Sequence, residues 1–249
     1  MSFESGRSWR APNAVELYSR GLHHGAASIE NGNPNLNAET AWFFSIQNVF
    51  TQGNRHFLDF QFYYRYYPNF NYLQPLPNLV LTVRGAFPSF EYKQTNAHVY
   101  GLNAQYSVQL PLGFFQSLNL QYIRAIQVQS KEEIPFTPPA RLSYAIGWKY
   151  LSDARIQNAS ISVKLEYTST QNRVNYNTEI KAPPKAFTLL SLDAHLQTLI
   201  AKQKITFAIQ CNNMLNTKYR DYLNRWRYFT DEAGANVQLS VFIPLTIKS

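Results

Sequence analysis

The 249-residue sequence holds a single cysteine, Cys211, so an internal disulfide and any cysteine-built metal cluster are excluded. Cys211 stands among apolar neighbours and reads as inert. No run of about 18 apolar residues occurs, which excludes transmembrane helices. A formal charge of +8 comes from scattered Lys and Arg, dense only over Arg220 to Arg227, so the long basic block of a nucleic-acid binder is missing. The opening MSFESGRSWRAPNAVELYSRG has no basic stretch leading into an apolar one, hence no secretory signal. Ser-His-Asp spacing, paired-carboxylate motifs, phosphate loops and metal-ligand clusters are also missing, so the sequence is not read as an enzyme and no cofactor is expected.

What is present is alternation. The chain is 45% hydrophobic with 17 Tyr and 17 Phe, yet its mean hydropathy is −0.33. From His98 to Gln129, Tyr100, Leu102, Ala104, Tyr106 and Val108 oppose Gly101, Asn103, Gln105, Ser107 and Gln109, and after Pro111-Leu112-Gly113 the pattern resumes with Leu118, Leu120, Tyr122, Ile126 and Val128. A period of two is a strand signature, and these strands are long. Soluble strands average about 5 to 6 residues, whereas a tilted strand crossing a bilayer needs about 9 to 11. Alternation alone leaves a soluble sandwich open, because an apolar face packed inward gives the same string.

The pattern recurs over 41–50, 57–70, 142–150, 161–168, 190–197, 205–210 and 237–245, with residues 1–10 read as the end of a further strand. That makes roughly nine full strands. The intervening connections alternate in length, with long ones at 11–37, 71–95, 130–139, 169–185 and 213–235. Outer-membrane barrels segregate long extracellular loops from short periplasmic turns in this way. The expected fold is therefore all-β, an antiparallel transmembrane β-barrel segment with its long connections outside the cell. An odd count that starts mid-strand points to part of a larger barrel, because closed single-chain barrels have even strand numbers and no free edges.

Four stretches carry a family resemblance. They are Trp9-Arg10-Ala11-Pro12 with Glu16-Leu17-Tyr18; Gly32-Asn33-Pro34-Asn35-Leu36 with Glu39; Val83-Arg84-Gly85-Ala86-Phe87 with Glu91-Tyr92 and Gly101; and Asn213-Met214-Leu215-Asn216-Thr217-Lys218-Tyr219 with Arg227-Tyr228-Phe229. Over practically all 249 residues the chain resembles the C-terminal part of TonB-dependent outer-membrane receptors, and is most similar to iron-complex receptors of Bacteroidetes-like bacteria. The resemblance implies a 22-stranded barrel with a plugged lumen, of which residues 1–249 supply the last nine to ten strands. It implies uptake of a ferric siderophore, haem or a similar complex. The implied partners are the TonB complex acting through the plug, outer-membrane lipid, and the N-terminal half of the barrel. The plug, the TonB-recruiting segment and the first half of the barrel are absent from these residues. The family's usual terminal aromatic is replaced by Thr246-Ile247-Lys248-Ser249 after Pro244-Leu245, so a truncated product or gene fragment is expected. The rival reading, from another class, is a passive porin-like or structural barrel assembled from several copies.

Candidate ligand contacts follow from side-chain chemistry. His23 and His24 lie in a loop where the resemblance allows an axial ligand to haem iron, against the alternative of a polar loop surface. No free-ion metal site is expected. Arg220, Arg225 and Arg227, interleaved with Tyr219, Tyr222, Trp226 and Tyr228, suit an anionic aromatic iron chelate. The alternative is that they pair with Asp221, Asp231, Glu232 or plug carboxylates, and Tyr72, Arg84 and Tyr92 carry the same two readings. Asp59, Arg65, Lys164, Glu166, Asp193 and His195 are expected to face the lumen.

Overall fold

The structure is a computed structural model and describes residues 1–152, 155–200 and 203–244. Ten strands lie side by side in chain order, every neighbouring pair antiparallel. They are β1 (Ser2–Arg10), β4 (Glu39–Gln52), β5 (His56–Thr82), β6 (Gly85–Gln109), β7 (Phe114–Gln127), β8 (Arg141–Leu151), β9 (Ile156–Thr168), β10 (Phe187–Ile200), β11 (Gln203–Asn212) and β12 (Asn236–Phe242). Between β1 and β4 the chain forms a short helix α1 (Ala14–Tyr18) and a small hairpin of β2 (Arg20–His23) and β3 (Ser28–Asn31), and β3 pairs in parallel with β6. No described helix is long and apolar enough to cross a membrane.

The register places the alternation as the sequence predicts. On one face Phe62 pairs with Leu102 and Ile46, and Tyr144 with Leu118 and Leu165. This face is bare: Phe62, Leu118, Ile146, Leu165 and Ile209 leave 40, 42, 42, 43 and 42% of their surface open. Among the described residues no second layer covers it, unlike a sandwich, which buries that side. Aromatic side chains border the band. Trp42, Tyr66, His98 and Tyr100 stand at the long-connection end, with Tyr64 Oη 2.7 Å from His98 Nδ1. At the other end His56 stacks on Tyr106 and Trp148 on Tyr150. From His56 to Tyr66 is ten residues, and at ~3.4 Å per residue and a tilt of ~40° the band is about 26 Å tall, the height of a transmembrane barrel's apolar belt.

The opposite face is polar. Gln47 Nε2 donates to both carboxylate oxygens of Asp59 at 2.9 Å, and Asn103 Nδ2 donates to Gln61 Oε1 at 3.2 Å. Three glycines on this face each receive an aromatic ring from the neighbouring strand: Gly6 receives Phe43, Gly101 receives Tyr63, and Gly147 receives Phe115. A Cβ at Gly101 would stand 2.3 Å from Tyr63 Oη and 2.6 Å from the Tyr122 carbonyl oxygen. Such rings lie along the wall and cover backbone that the missing side chain would expose.

Several expectations are corrected. The connection at 71–95 is not a loop, because β5 and β6 continue as a ladder to Thr82 and Gly85. Prolines usually end strands, but here the ladder skips a step between Tyr67 and Phe70 and again between Leu76 and Val80, which absorbs Pro68 and Pro77 without losing the pairing. Within residues 1–10, Ser2–Arg10 is a strand paired with β4, and the connection at 11–37 is mostly regular structure. The last strand ends at Phe242, so Ile243 falls outside it. Leu245 and residues 246–249 lie outside the described residues, as do Ala201, Lys202, Asp153 and Ala154.

Candidate functional site

The long connections gather at one end of the sheet and pack on one another as a canopy. Its base is a small apolar cluster of Ala41, Tyr67, Ala97, Val99, Ala125 and Ile134, the last reaching in from the β7–β8 connection, whose Ile134 N–H donates to the Ala125 carbonyl at 2.9 Å. Phe90 is wholly buried between Phe136 and Tyr228, with ring centroids 5.8 and 6.4 Å away.

Two ion pairs, each on a buried carboxylate, fasten the canopy. Glu30 on β3, 1% exposed, takes Arg225 from the last connection, 195 residues further along the chain. Ser28 Oγ and Tyr92 Oη also donate to Glu30, at 3.2 and 3.4 Å. Arg227 and Glu179, both buried, pair at 2.9 Å, and Tyr222 Oη donates to the other Glu179 oxygen at 2.8 Å. The Arg227 guanidinium lies 4.4 Å from the Tyr222 ring centroid and 4.7 Å from that of Tyr228, so its faces are covered by π-density while its edge meets the carboxylate. Burial, reinforced by the Glu179 charge, pushes the Tyr222 hydroxyl well above the usual tyrosine range, and burial likewise raises Tyr228.

A second corner ties α1 to the sheet. Asn13 caps the helix by accepting from Glu16 N–H at 2.9 Å, and Glu16 returns the bond by accepting from Asn13 N–H at 2.8 Å, a reciprocal capping box. Arg10 bridges Glu16 at 2.9 Å and Glu39 at 3.2 Å. Burial works to raise the Glu16 carboxyl, but the bonds from Arg10 and Asn13 together hold it below the usual carboxylate range.

The sequence-predicted contacts fall into distinct places. Tyr92, Tyr222, Arg225 and Arg227 come together inside the canopy, bound to Glu30 and Glu179. Arg220 pairs with Asp231 at 2.6 Å, one of the acids the sequence offered it. Trp226 stays 42% exposed, its Nε1–H donating to the Gly25 carbonyl at 3.0 Å. His23 lies 3.8 Å from Glu30, and His24 beside it is exposed. Tyr72 packs against the apolar cluster, while Arg84 stands exposed at the tip of the β5–β6 hairpin, away from the others. Among the described residues no group of His, Cys, Asp and Glu could hold a metal ion.

Beneath the canopy the polar wall carries a cavity of about 540 Å³, lined among others by Glu4, Phe43, Tyr63, Arg65, Tyr67 and Asn103. Alternation places Arg65 on the inward face, and it lines this cavity.

Comparison with known proteins agrees with this architecture. A search of curated proteins gives no match. Among solved structures, the copper transporter OprC superposes with a TM-score of 0.74 at 16% identity, covering 96% of this chain and 36% of that one. The siderophore receptor PirA from Acinetobacter baumannii gives 0.63 at 11% identity, with 96% and 38% covered. The FrpB iron transporter from Neisseria meningitidis gives 0.61 at 14% identity, with 96% and 36% covered. The chain thus spans little more than a third of each of these relatives. The family model described as TonB dependent receptor-like, beta-barrel, matches residues 4–214. By that match, the chain belongs to the TonB-dependent receptor β-barrel family.

Proposed function

We propose that residues 1–249 are the C-terminal wall of an outer-membrane transporter that takes up a metal complex, an iron complex such as a ferric siderophore or haem in particular. The observation that carries this reading is the two-faced sheet. An apolar belt between aromatic rows backs a polar wall, and the connections at one end fold into a canopy over a cavity on that wall. A passive pore needs an open polar wall, whereas a buried, ion-paired canopy narrows the mouth, as a receptor that captures its cargo requires. Neighbours in fold carry names of copper, siderophore and iron transport, which supports a metal complex as cargo.

In this reading the canopy faces outward, and further strands pair with the free edges of β1 and β12, which have no partner among the described residues. A plug fills the lumen, and the TonB complex supplies the energy that moves it. Exposed His24, Arg84 and Trp226 are the predicted contacts that remain open to arriving cargo, with His23 beside them. Arg225, Arg227, Tyr222 and Tyr92 hold the canopy that shapes the mouth, and Arg220 and Tyr72 flank it.

Uptake of ferric siderophores and haem by iron-starved cells tests the reading, with the receptor gene intact or deleted and with TonB present or absent. Loss of uptake of one complex in both deletions is expected. Uptake of every complex untouched by the receptor deletion, together with steady conductance of the purified protein in planar bilayers, refutes it in favour of a passive barrel.

A further inference from the structure

We propose that the canopy is two leaves closed by one latch, the Arg225–Glu30 pair, and that passage to the wall beneath opens at this divide while the Arg227–Glu179 pair stays shut. That cargo uses the passage rests on the importer reading above; that the canopy parts along this line rests on its geometry.

Each leaf is tied within itself. The first holds the β2–β3 hairpin and the outer part of β5 and β6, joined where Ile29, Glu30 and Asn31 pair with Ser89, Phe90 and Glu91, and where Gln94 Nε2 donates to the Asn37 carbonyl at 2.9 Å. The second holds the connections at 130–139, 169–185 and 213–235. Gln171 Nε2 donates to the Thr137 carbonyl at 2.6 Å, Lys181 Nζ donates to the Tyr228 carbonyl at 2.7 Å, and Arg227 meets Glu179. Among the described residues, two polar links cross from leaf to leaf: Arg225 to Glu30, and Trp226 Nε1–H to the Gly25 carbonyl at 3.0 Å. Phe90 of the first leaf fills the divide against Phe136 and Tyr228 of the second.

The two ion pairs differ in what parting them leaves behind. The Arg227 side chain is 3% exposed and packs on two rings, so separation from Glu179 strands both charges away from water. The Arg225 side chain is 26% exposed, and water takes over its donors as it leaves. Glu30 is buried but keeps partners on its own leaf, with Ser28 Oγ at 3.2 Å, Tyr92 Oη at 3.4 Å and His23 Nδ1 at 3.8 Å. Such a pair opens first, as a local event that spares the sheet. Trp226 follows Arg225 in the chain and His23 stands beside Glu30, so both sides of the divide carry exposed groups that arriving cargo meets.

The test uses the whole receptor with Cys211 replaced by Ser and spin labels on cysteines at exposed sites, Arg20 with Thr230 across the divide and Tyr176 with Thr230 inside the second leaf. In Glu30→Gln the population with the longer Arg20–Thr230 distance is expected to grow about tenfold or more, the effect of losing a charged hydrogen bond, while the Tyr176–Thr230 distance stays as it was. Passage is read separately, with a polar maleimide added outside intact cells and a cysteine at Ser8, which lines the cavity beneath the canopy; Glu30→Gln should label faster by a similar factor. Should Glu30→Gln not assemble, Arg225→Gln carries the same comparison, because Glu30 then keeps the partners on its own leaf. Equal widening of both distances, or of neither, overturns the two leaves. A widened divide with unchanged labelling at Ser8 overturns the passage. Widening and faster labelling in a receptor whose deletion spares uptake of every metal complex uphold the latch and remove the importer reading alone.

Discussion

Replacing Glu179 by Gln tests whether the canopy is held by charge. The carboxylate is buried and meets Arg227 Nη2 at 2.9 Å and Tyr222 Oη at 2.8 Å, and Arg227 is itself 4% exposed. Glutamine keeps the shape and an oxygen for Tyr222 but leaves the guanidinium without a counter-ion in a site that excludes water. Breaking a buried pair by removing one partner costs about 3–5 kcal/mol. Part of that is recovered here, because Arg227 Nη2 also reaches Tyr228 Oη at 2.9 Å and both its faces meet rings, so about 3 kcal/mol is the expected cost. The canopy is built from connections, so this energy is lost from local opening rather than from the sheet. Hydrogen exchange of residues 225–230 is then expected to accelerate about a hundredfold, at ~1.4 kcal/mol per tenfold, while β5 to β7 exchange as before. The double variant Glu179→Leu with Arg227→Met should return to near the native rate, because two well-packed apolar groups replace a costly buried pair. Native exchange in Glu179→Gln, or a double variant worse than the single one, refutes the idea that the charge pair fastens these connections.

Other consequences are as specific. Gly101→Ala is expected to cost about 1–3 kcal/mol in urea unfolding, since its Cβ meets the Tyr122 carbonyl as well as Tyr63. Gly6→Ala should cost under about 1 kcal/mol, because only the far end of the Phe43 ring is in the way, and equal costs at the two sites would contradict the wall geometry. Phe62→Arg on the bare face should destabilise the folded protein by about 2–4 kcal/mol in lipid, while Gln105→Lys on the polar face changes little; the reverse order would invert the two faces. With its hydroxyl raised in the folded canopy, Tyr222 contributes stability that is intact below its ordinary value of 10.0 and fades as alkali takes the proton in the open form first. Protease nicking within 213–235 should therefore rise above that pH, less so in Tyr222→Phe. Glu16, held low, works in the opposite sense: the Arg10 corner is intact above the ordinary carboxyl value of 4.5 and weakens as acid protonates it, which mobility of a spin label on α1 will report.

The strands were legible because a two-residue period survives any change of residue that keeps polarity, as in Leu58, Phe60, Phe62 and Tyr64. Their continuation was not. Pro75, Pro77, Gly85 and Pro88 read as loop punctuation, and only three-dimensional pairing reveals that a skipped step accommodates Pro77 and that Pro75 and Pro88 lie fully buried. The Arg225–Glu30 bond is hidden for a different reason. Sequence specifies which groups need a partner, not which of the available acids comes near, and here the partner lies in the first connection, not among the neighbouring Asp221, Asp231 and Glu232. Arg220, whose partner Asp231 is local, is the case where the nearby choice was right.

Among the described residues the outer margins of β1 and β12 carry no partner strand, and that bears on how a sheet of this kind would enter a bilayer. In hydrocarbon each unsatisfied peptide group costs several kcal/mol, so a sheet with two open margins is disfavoured there however well its interior ladder is formed. Insertion and zipping-up of the seam must then be coupled.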